Sequence, residues 1–396
     1  MMNIKKEITF IHMDHVEHQI YEPIAKEAQR RGYTVKFSTN KCTKCEIGFY
    51  CQHVNFPEYS KFSVIMLHDI IQQYSNWPDL WFREPWNIYN IGILPGATWE
   101  NNWNQCSKYY YANPKNGMYK VGWPKADVIG DIDIKAYRRE NCKKYGIDLN
   151  KKSILYAPSW ECDGKQNDFV QSMLKLDVNI LIKQYAVDPE LFPNTYKEIQ
   201  RMYELHKNNP RVIILDSKIN ILNAIALSDI LVSDESSTMC EAVMMGIPAV
   251  SVSNWLIPDV TPKRYPSVKY DFVSKTTKEN LTNHIYYILE NYSVFKKEAE
   301  DYSRDNFPNI GKCASIIMDI VDDVLLGKTP SFNALPPQNR ERVPFKKNII
   351  HKCIRIKNEI VYNYMYKYKF IGYGMKVYRF IKKKIFHKNL GQGANV

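Results

Sequence analysis

The chain has 396 residues, 45% of them apolar, which is long enough for two domains with sizeable cores and too apolar for wholesale disorder. Its nine cysteines, an odd number scattered along the chain, fit a reducing cytosol and argue against a disulfide framework. The net charge of +12 is uneven: residues 329–396 hold 15 Lys or Arg against Glu341 and Glu359, so the first 328 residues are close to neutral and attraction to anionic partners belongs to the tail.

The start, "MMNIKKEITFIHM", reads as a first core strand and not as a signal peptide. "HVEHQIYEPIAKEAQRRG" follows as an amphipathic helix ending at Gly32, then "YTVKFSTN" as a strand. "CTKCEIGFYCQH" carries Cys42, Cys45, Cys51 and His53, ligand types that suit tetrahedral zinc at a spacing that is not a standard finger; packing in the first domain is the alternative. "KFSVIMLHD" is a strand ending at His68 and Asp69, and "NIYNIGILPG" is another. Between and after them stand Trp77, Trp81, Trp86, Trp99 and Trp103, expected mainly as aromatic core, with stacking on a sugar or lipid-linked acceptor as the other reading. "VGWPKADVIG" closes the first half with turn chemistry, and "DIKAYRRENCKKYGI" is a bridging helix.

The second half restarts with "KKSILYAPSW", "DVNILIKQYA", "PRVIILD", "INILNAIALSDILVSDESS" and "IPAVSVS". Apolar strands end at polar loops and alternate with helices, which is the signature of parallel, doubly wound α/β sheets. "KENLTNHIYYILENYSVFKKEAEDYSRDNF" and "GKCASIIMDIVDDVLLG" are terminal helices, and "TPSFNALPPQNRERVP" is a linker. Two such domains without G-x-G-x-x-G suggest the two-Rossmann glycosyltransferase-B architecture, with the active site in the cleft at the carboxyl ends of both sheets. The expected units are 1–135, 136–328, and a linker with a basic amphipathic helical tail at 329–396. No apolar run of about 18 residues is present, so no membrane-spanning helix is expected.

One segment carries chemistry. "LVSDESSTMCEAVMMGIPAVSVSNW", residues 231–255, reads as strand, polar loop, helix, turn and strand. Thr238 with Glu241 fits a capping box, and Gly246 and Pro248 suit the helix end. The same loop, at the carboxyl end of a strand, offers backbone N–H groups and the Ser236 and Ser237 hydroxyls to phosphate, while Glu241 could accept from ribose hydroxyls. Six consecutive polar positions exceed what a cap needs, which favours a ligand.

Here the chain resembles the CDP-glycerol glycerophosphotransferases, the teichoic-acid polymer enzymes of glycosyltransferase-B type. "SDESSTMCEAVMMGIPAVSV" is similar to the family's "SD-x-SS … KP", "VGWPKADVI" to "GYPRND-x-L", "ILYAPSW" to "ILYAPTW", and "DNFPNIGKCASIIMDIV" to "F … DGKAS-x-RI". The resemblance runs from about Val64 to Leu325, with the motifs in order. It implies transfer of glycerol phosphate from CDP-glycerol to a hydroxyl of a lipid-linked acceptor. It makes 1–135 the acceptor domain and 136–328 the donor-nucleotide domain. Asp234, Ser236 and Ser237 would then sit at the donor diphosphate, with Ser159, Lys183, Thr238 and Glu241 in the donor-binding set.

Two departures stand out. Where the family has H-G-x-P this chain has "LHDII", keeping His68, and where it has K/R-L-H-P this chain has "IKQYA", keeping Lys183 but placing Tyr185 at the histidine position. The looser pattern S-x-x-x-x-E-A-x-x-x-G-x-P also fits "SSTMCEAVMMGIP" and is shared with UDP-GlcNAc 2-epimerases. A UDP-sugar enzyme of the same fold is therefore the alternative.

An alcohol nucleophile needs a proton acceptor near neutral pH, and His68 is the first candidate for it. His15 is the second, within a cluster of His12, Asp14, His15 and His18 that equally reads as a solvated loop with Asp14 as N-cap. Arg83 and Lys125 are weaker candidates for acceptor phosphate. No cofactor is expected, a divalent metal being the open alternative. The interleaved Lys, Arg, Ile, Tyr and Phe of the tail suit the surface of an anionic membrane, which would place the enzyme in the cytoplasm on the inner membrane face. No nucleic-acid motif is found.

Overall fold

The computed structural model describes residues 5–360 apart from 53, 71–84, 191, 269, 340, 342–344, 347–348, 351, 354–355 and 358–359, with Asp131 described by its backbone. His53, Trp77, Trp81, Arg83 and the tail beyond residue 360 therefore lie outside the described residues.

Two six-stranded sheets, all parallel, form the molecule. The first holds β1 (Glu7–Ile11), β2 (Thr34–Ser38), β3 (Cys45–Tyr50), β4 (Ser60–Ile65), β5 (Ile91–Leu94) and β6 (Met118–Lys120) in the order β2-β1-β3-β4-β5-β6. The second holds β7 (Lys152–Tyr156), β8 (Val178–Ile182), β9 (Val212–Ile214), β10 (Ile230–Ser233), β11 (Ala249–Val252) and β12 (Val273–Thr276) in the order β12-β11-β10-β7-β8-β9. The doubly wound fold expected from the alternating pattern is present. The strand order reverses direction between β1 and β3 in the first sheet and between β7 and β10 in the second. Such switch points open a crevice at the strands' carboxyl ends, where ligands bind.

The cysteine segment is a central strand. β3 lies between β1 and β4, and its Cys45 and the following Cys51 are buried. Among the described residues no three His, Cys, Asp or Glu side chains gather to hold a metal. The described tryptophans of the aromatic-rich stretch are core: Trp86, Trp99 and Trp103 are each at most 2% exposed, and Trp103 donates from Nε1 to the Ala112 carbonyl at 2.8 Å.

The Cys313–Leu325 helix closes the chain back onto the first unit, packing against the His15–Arg30 helix. Arg31 pairs with Asp319 at 2.7 Å and Asp322 at 2.9 Å, and Asp127 accepts from the Cys313 and Ala314 N–H groups at 2.9 and 2.7 Å. Ile317, Met318, Ile320 and Val321 on this helix are fully buried, each contributing about 1.5–3 kcal/mol. Gly122 permits the approach: its φ is +124°, and a Cβ there would collide with the Pro308 carbonyl. The segment after the helix does not swing free. Leu335 donates its N–H to Met118 at the edge of β6, and Glu341 accepts from the Tyr110 N–H at 2.7 Å.

Candidate active site

The carboxyl ends of the two sheets share one cleft of about 580 Å³. From the first unit come Asp14, His15 and Glu17 after β1, His68 and Asp69 after β4, and Trp123 and Lys125 after β6. From the second come Ser159 and Glu161 after β7, Lys183 to Tyr185 after β8, and Glu235 to Thr238 with Glu241 after β10.

The first-unit rim is acidic and holds two histidines. Asp14 caps the His15–Arg30 helix: its Oδ1 accepts from the Glu17 N–H at 2.9 Å, and the Glu17 carboxylate accepts from the Met13 N–H at 2.5 Å. The two bonds satisfy the Glu17 N–H of the first turn and the Met13 N–H before the cap, and Glu17 is held at 3% exposure. Burial raises the Glu17 pKa, and the nearby His68 opposes that rise. His68 stands three residues beyond the end of β4 and not on the strand itself. Its Nδ1 lies 2.9 Å from the Cys51 carbonyl, which can only accept, so Nδ1 carries the proton and Nε2 keeps its lone pair in the neutral ring. Asp69 lies 3.5 Å from Nε2. Burial alone would lower the His68 pKa, but the Asp69 and Glu17 carboxylates raise it above the usual imidazole value. His15 is exposed on the cleft with its Nε2 3.0 Å from Gln19. His12 and His18 pack on Phe37 and do not line the cleft.

The second-unit rim is built of hydroxyls and cations. Thr238 and Glu241 do not form the expected capping box, because Glu241 is drawn away to Lys125 at 2.8 Å and Ser237 occupies the cap position. The cap is served weakly, by Ser236 Oγ accepting from the Thr238 N–H at 3.3 Å. Ser237 makes no capping bond, and the buried Thr238 Oγ1 has no hydrogen-bond partner among the described residues. Both residues line the cleft, leaving hydroxyl donors there.

Asp234 is placed differently from its neighbours. It is fully buried and does not line the cleft. It accepts from Lys165 Nζ at 2.9 Å, from the Ser159 N–H at 2.9 Å and from Ser159 Oγ at 2.7 Å. Burial pushes its pKa up, but the Lys165 ammonium and the Ser159 donors hold it below the usual carboxylate value. The expectation that Asp234 meets a donor is corrected to a brace: it ties the β7 and β10 loops together and orients Ser159 from behind. A second carboxylate would also repel phosphate at that place.

Lys183 is 9% exposed, and among the described residues its Nζ donates to the Gln184 and Ser217 carbonyls, at 3.3 and 3.2 Å. Burial, and then the charge of Lys125, lower its pKa to about 8. Lys125 pairs with Glu241 at 2.8 Å, and both line the cleft.

Three contributors went unnoticed in the sequence. Glu17 looks like any polar residue of an amphipathic helix, and only its Asp-x-x-Glu spacing behind Asp14 marks it. Lys165 has no local signal. Glu161 is 1% exposed, accepts from Tyr156 Oη at 2.9 Å and Gln184 Nε2 at 2.5 Å, and burial raises its pKa to about 7. Tyr185 reaches across the cleft: its hydroxyl donates to Asp14 Oδ2 at 3.2 Å.

The family model described as CDP-Glycerol:Poly(glycerophosphate) glycerophosphotransferase matches residues 95–252. The resemblance seen in the motifs is borne out over that segment, which holds Ser159, Lys183 and the loop from Asp234 to Glu241 but neither His15 nor His68. No curated protein matches the chain. Among solved structures, a variant of the wall teichoic acid polymerase TagF with CDPG is similar at 16% identity and a TM-score of 0.56, over 82% of this chain and 90% of that one. S. aureus MnaA with UDP is similar at 11% identity and 0.56, over 85% of this chain and 100% of that one. The UDP-GlcNAc 2-epimerase from Neisseria meningitidis, bound to UDP-GlcNAc, is similar at 14% identity and 0.56, over 81% and 100%. At these identities the likeness concerns the fold, and it agrees with the glycosyltransferase-B architecture.

Proposed function

We propose, from the premise that this chain is a CDP-glycerol glycerophosphotransferase-like enzyme, that it transfers glycerol phosphate or a similar polyol phosphate from a CDP-activated donor to a hydroxyl of a lipid-linked or saccharide acceptor. The product belongs to a cell-surface polymer such as teichoic acid or capsule. One observation carries this reading: His68, with Nδ1 turned to the Cys51 carbonyl and Nε2 3.5 Å from Asp69, stands on one rim of the cleft, and hydroxyls with the Lys183 ammonium stand on the other. That is the division of labour phosphoryl transfer needs, in which positioning and charge neutralisation dominate.

The acceptor hydroxyl gives its proton to His68 Nε2, and its oxygen bonds to the donor's β-phosphorus. The bond from that phosphorus to the oxygen bridging the two phosphates breaks, and the electron pair leaves with CMP. Asp69 and Glu17 favour the imidazolium that forms. Ser236, Ser237, Thr238 and Lys183 hold the phosphates, with Ser159 set in place by Asp234. His15, exposed at the same rim, is the second candidate base.

The tail is assigned to the inner membrane surface, where its basic residues would bring a cytoplasmic enzyme to a lipid-linked acceptor. The described residues contain no helix long and apolar enough to cross a membrane.

The test is incubation of the full chain with CDP-glycerol, CDP-ribitol and UDP-GlcNAc in turn, followed by nucleotide analysis. CMP release with transfer of the polyol phosphate is expected. UDP release alone would replace this reading by a UDP-sugar enzyme of the same fold.

A further inference from the structure

Lys125 comes from the first unit: the Pro124–Ala126 turn that carries it follows β6 and packs on the His15–Arg30 helix. Glu241 comes from the second, in the Thr238–Met244 helix after β10. Their side chains meet across the unit boundary at 2.8 Å, 5% and 4% exposed, and both line the cleft. Lys183 shares this wall, and the two ammonium groups repel strongly enough for Lys125 to be the second cause, after burial, of the low Lys183 pKa. Among the buried groups, Lys125 and Lys183 thus both draw on Glu241, the exposed Asp216 adding a weaker attraction on Lys183. A surplus positive charge in a water-poor site is costly unless an anion joins it. Glu241 is also badly placed for a bound phosphate, because like charges at such distances repel, whereas a carboxylate accepts readily from neutral hydroxyls.

We propose that Lys125 is a donor-binding residue supplied by the first unit and positioned by its ion pair with Glu241. A nucleoside diphosphate takes over Lys125 with its phosphate oxygens, and Glu241 turns to the ribose hydroxyls. The exchange makes donor binding depend on both units and explains why a buried ion pair bridges them at the cleft. It rests on the cleft being a nucleoside-diphosphate site, but not on which base or group the donor carries.

Calorimetric titration of the full chain with CDP-glycerol, UDP-GlcNAc and the 2′-deoxy form of whichever nucleotide binds tests this. Lys125→Met is compared with Lys125→Arg, and with the double variant Lys125→Met/Glu241→Gln, which leaves no buried charge unpaired and guards against misfolding. Lys125→Met and the double variant should each weaken the bound nucleotide at least ~10-fold, with Lys125→Arg closer to wild type. Glu241→Gln should weaken the ribose form but not the 2′-deoxy form. A folded double variant with wild-type affinity overturns the proposal, as does equal loss for ribose and deoxyribose ligands in Glu241→Gln. If UDP-GlcNAc binds and CDP-glycerol does not, the phosphotransferase reading fails while Lys125 is judged by the UDP-sugar titrations. Binding of neither overturns both.

Discussion

The two rims of the cleft solve opposite electrostatic problems with the same topology. On both, residues follow the carboxyl ends of parallel strands at a switch point. The first-unit rim places Asp14, Glu17 and Asp69 around His68 and His15, a setting that favours a proton acceptor. The second-unit rim turns Asp234 inward to Lys165, matches its cleft-lining Glu235 and Glu241 with Arg264 and Lys125, and presents hydroxyls and Lys183 beside them, a setting that favours an anion. The difference shows that the fold supplies the place and the loops supply the sign of the charge.

This contrast can be broken from either side. The largest effect is expected at the inward brace. Lys165→Met leaves Asp234 as an unpaired buried carboxylate and should destabilise the chain by about 3–5 kcal/mol, measurable by denaturant unfolding of the second unit. His68→Ala should lower turnover by ~10²–10⁴-fold in a CMP-release assay while leaving nucleotide affinity near wild type. An equal loss of affinity would place His68 in the donor site instead. Lys183→Met should weaken donor binding by about 10–100-fold in the same titrations.

The two rims should also separate by pH. As a base, His68 must be neutral, so kcat/KM rises as pH passes its raised pKa, above 6.5. Lys183 must be charged to hold phosphate, so kcat/KM falls again as pH passes about 8. The expected bell loses its alkaline limb in Lys183→Arg, because arginine stays charged. The smallest effect belongs to the bond between the rims. Tyr185→Phe removes one partly exposed hydrogen bond to Asp14, about 0.5–1.5 kcal/mol, and should change turnover less than tenfold. Tyr185→His asks whether the family's residue improves on it.

The strands and the cleft were readable because apolar runs punctuated by polar loops are a strong, local signal. β3 was overlooked because its cysteines suggested chemistry, although "EIGFY" is as strand-like as its neighbours. The loop from Ser233 to Thr238 was found, yet its inner wiring was not: the Glu241 side chain chose Lys125, more than a hundred residues away, over its own helix start. Asp234 behaved likewise, since its Lys165 partner is set by tertiary packing and by no spacing rule. Pairings between distant residues decide which polar groups face the ligand, and a single sequence carries no trace of them. The positions of His15 and His68 on the cleft were legible, because a histidine just beyond a strand's carboxyl end is visible before the fold is known.

The return of the chain after the terminal helix has a mechanical consequence. Leu335 is stitched to Met118 and Glu341 to Tyr110, so the stretch leading to the basic tail leaves from the first unit, the side of His68. Whatever grips the tail therefore grips the His68 side of the cleft first, and reaches the loop from Ser233 to Thr238 only through the body of the fold.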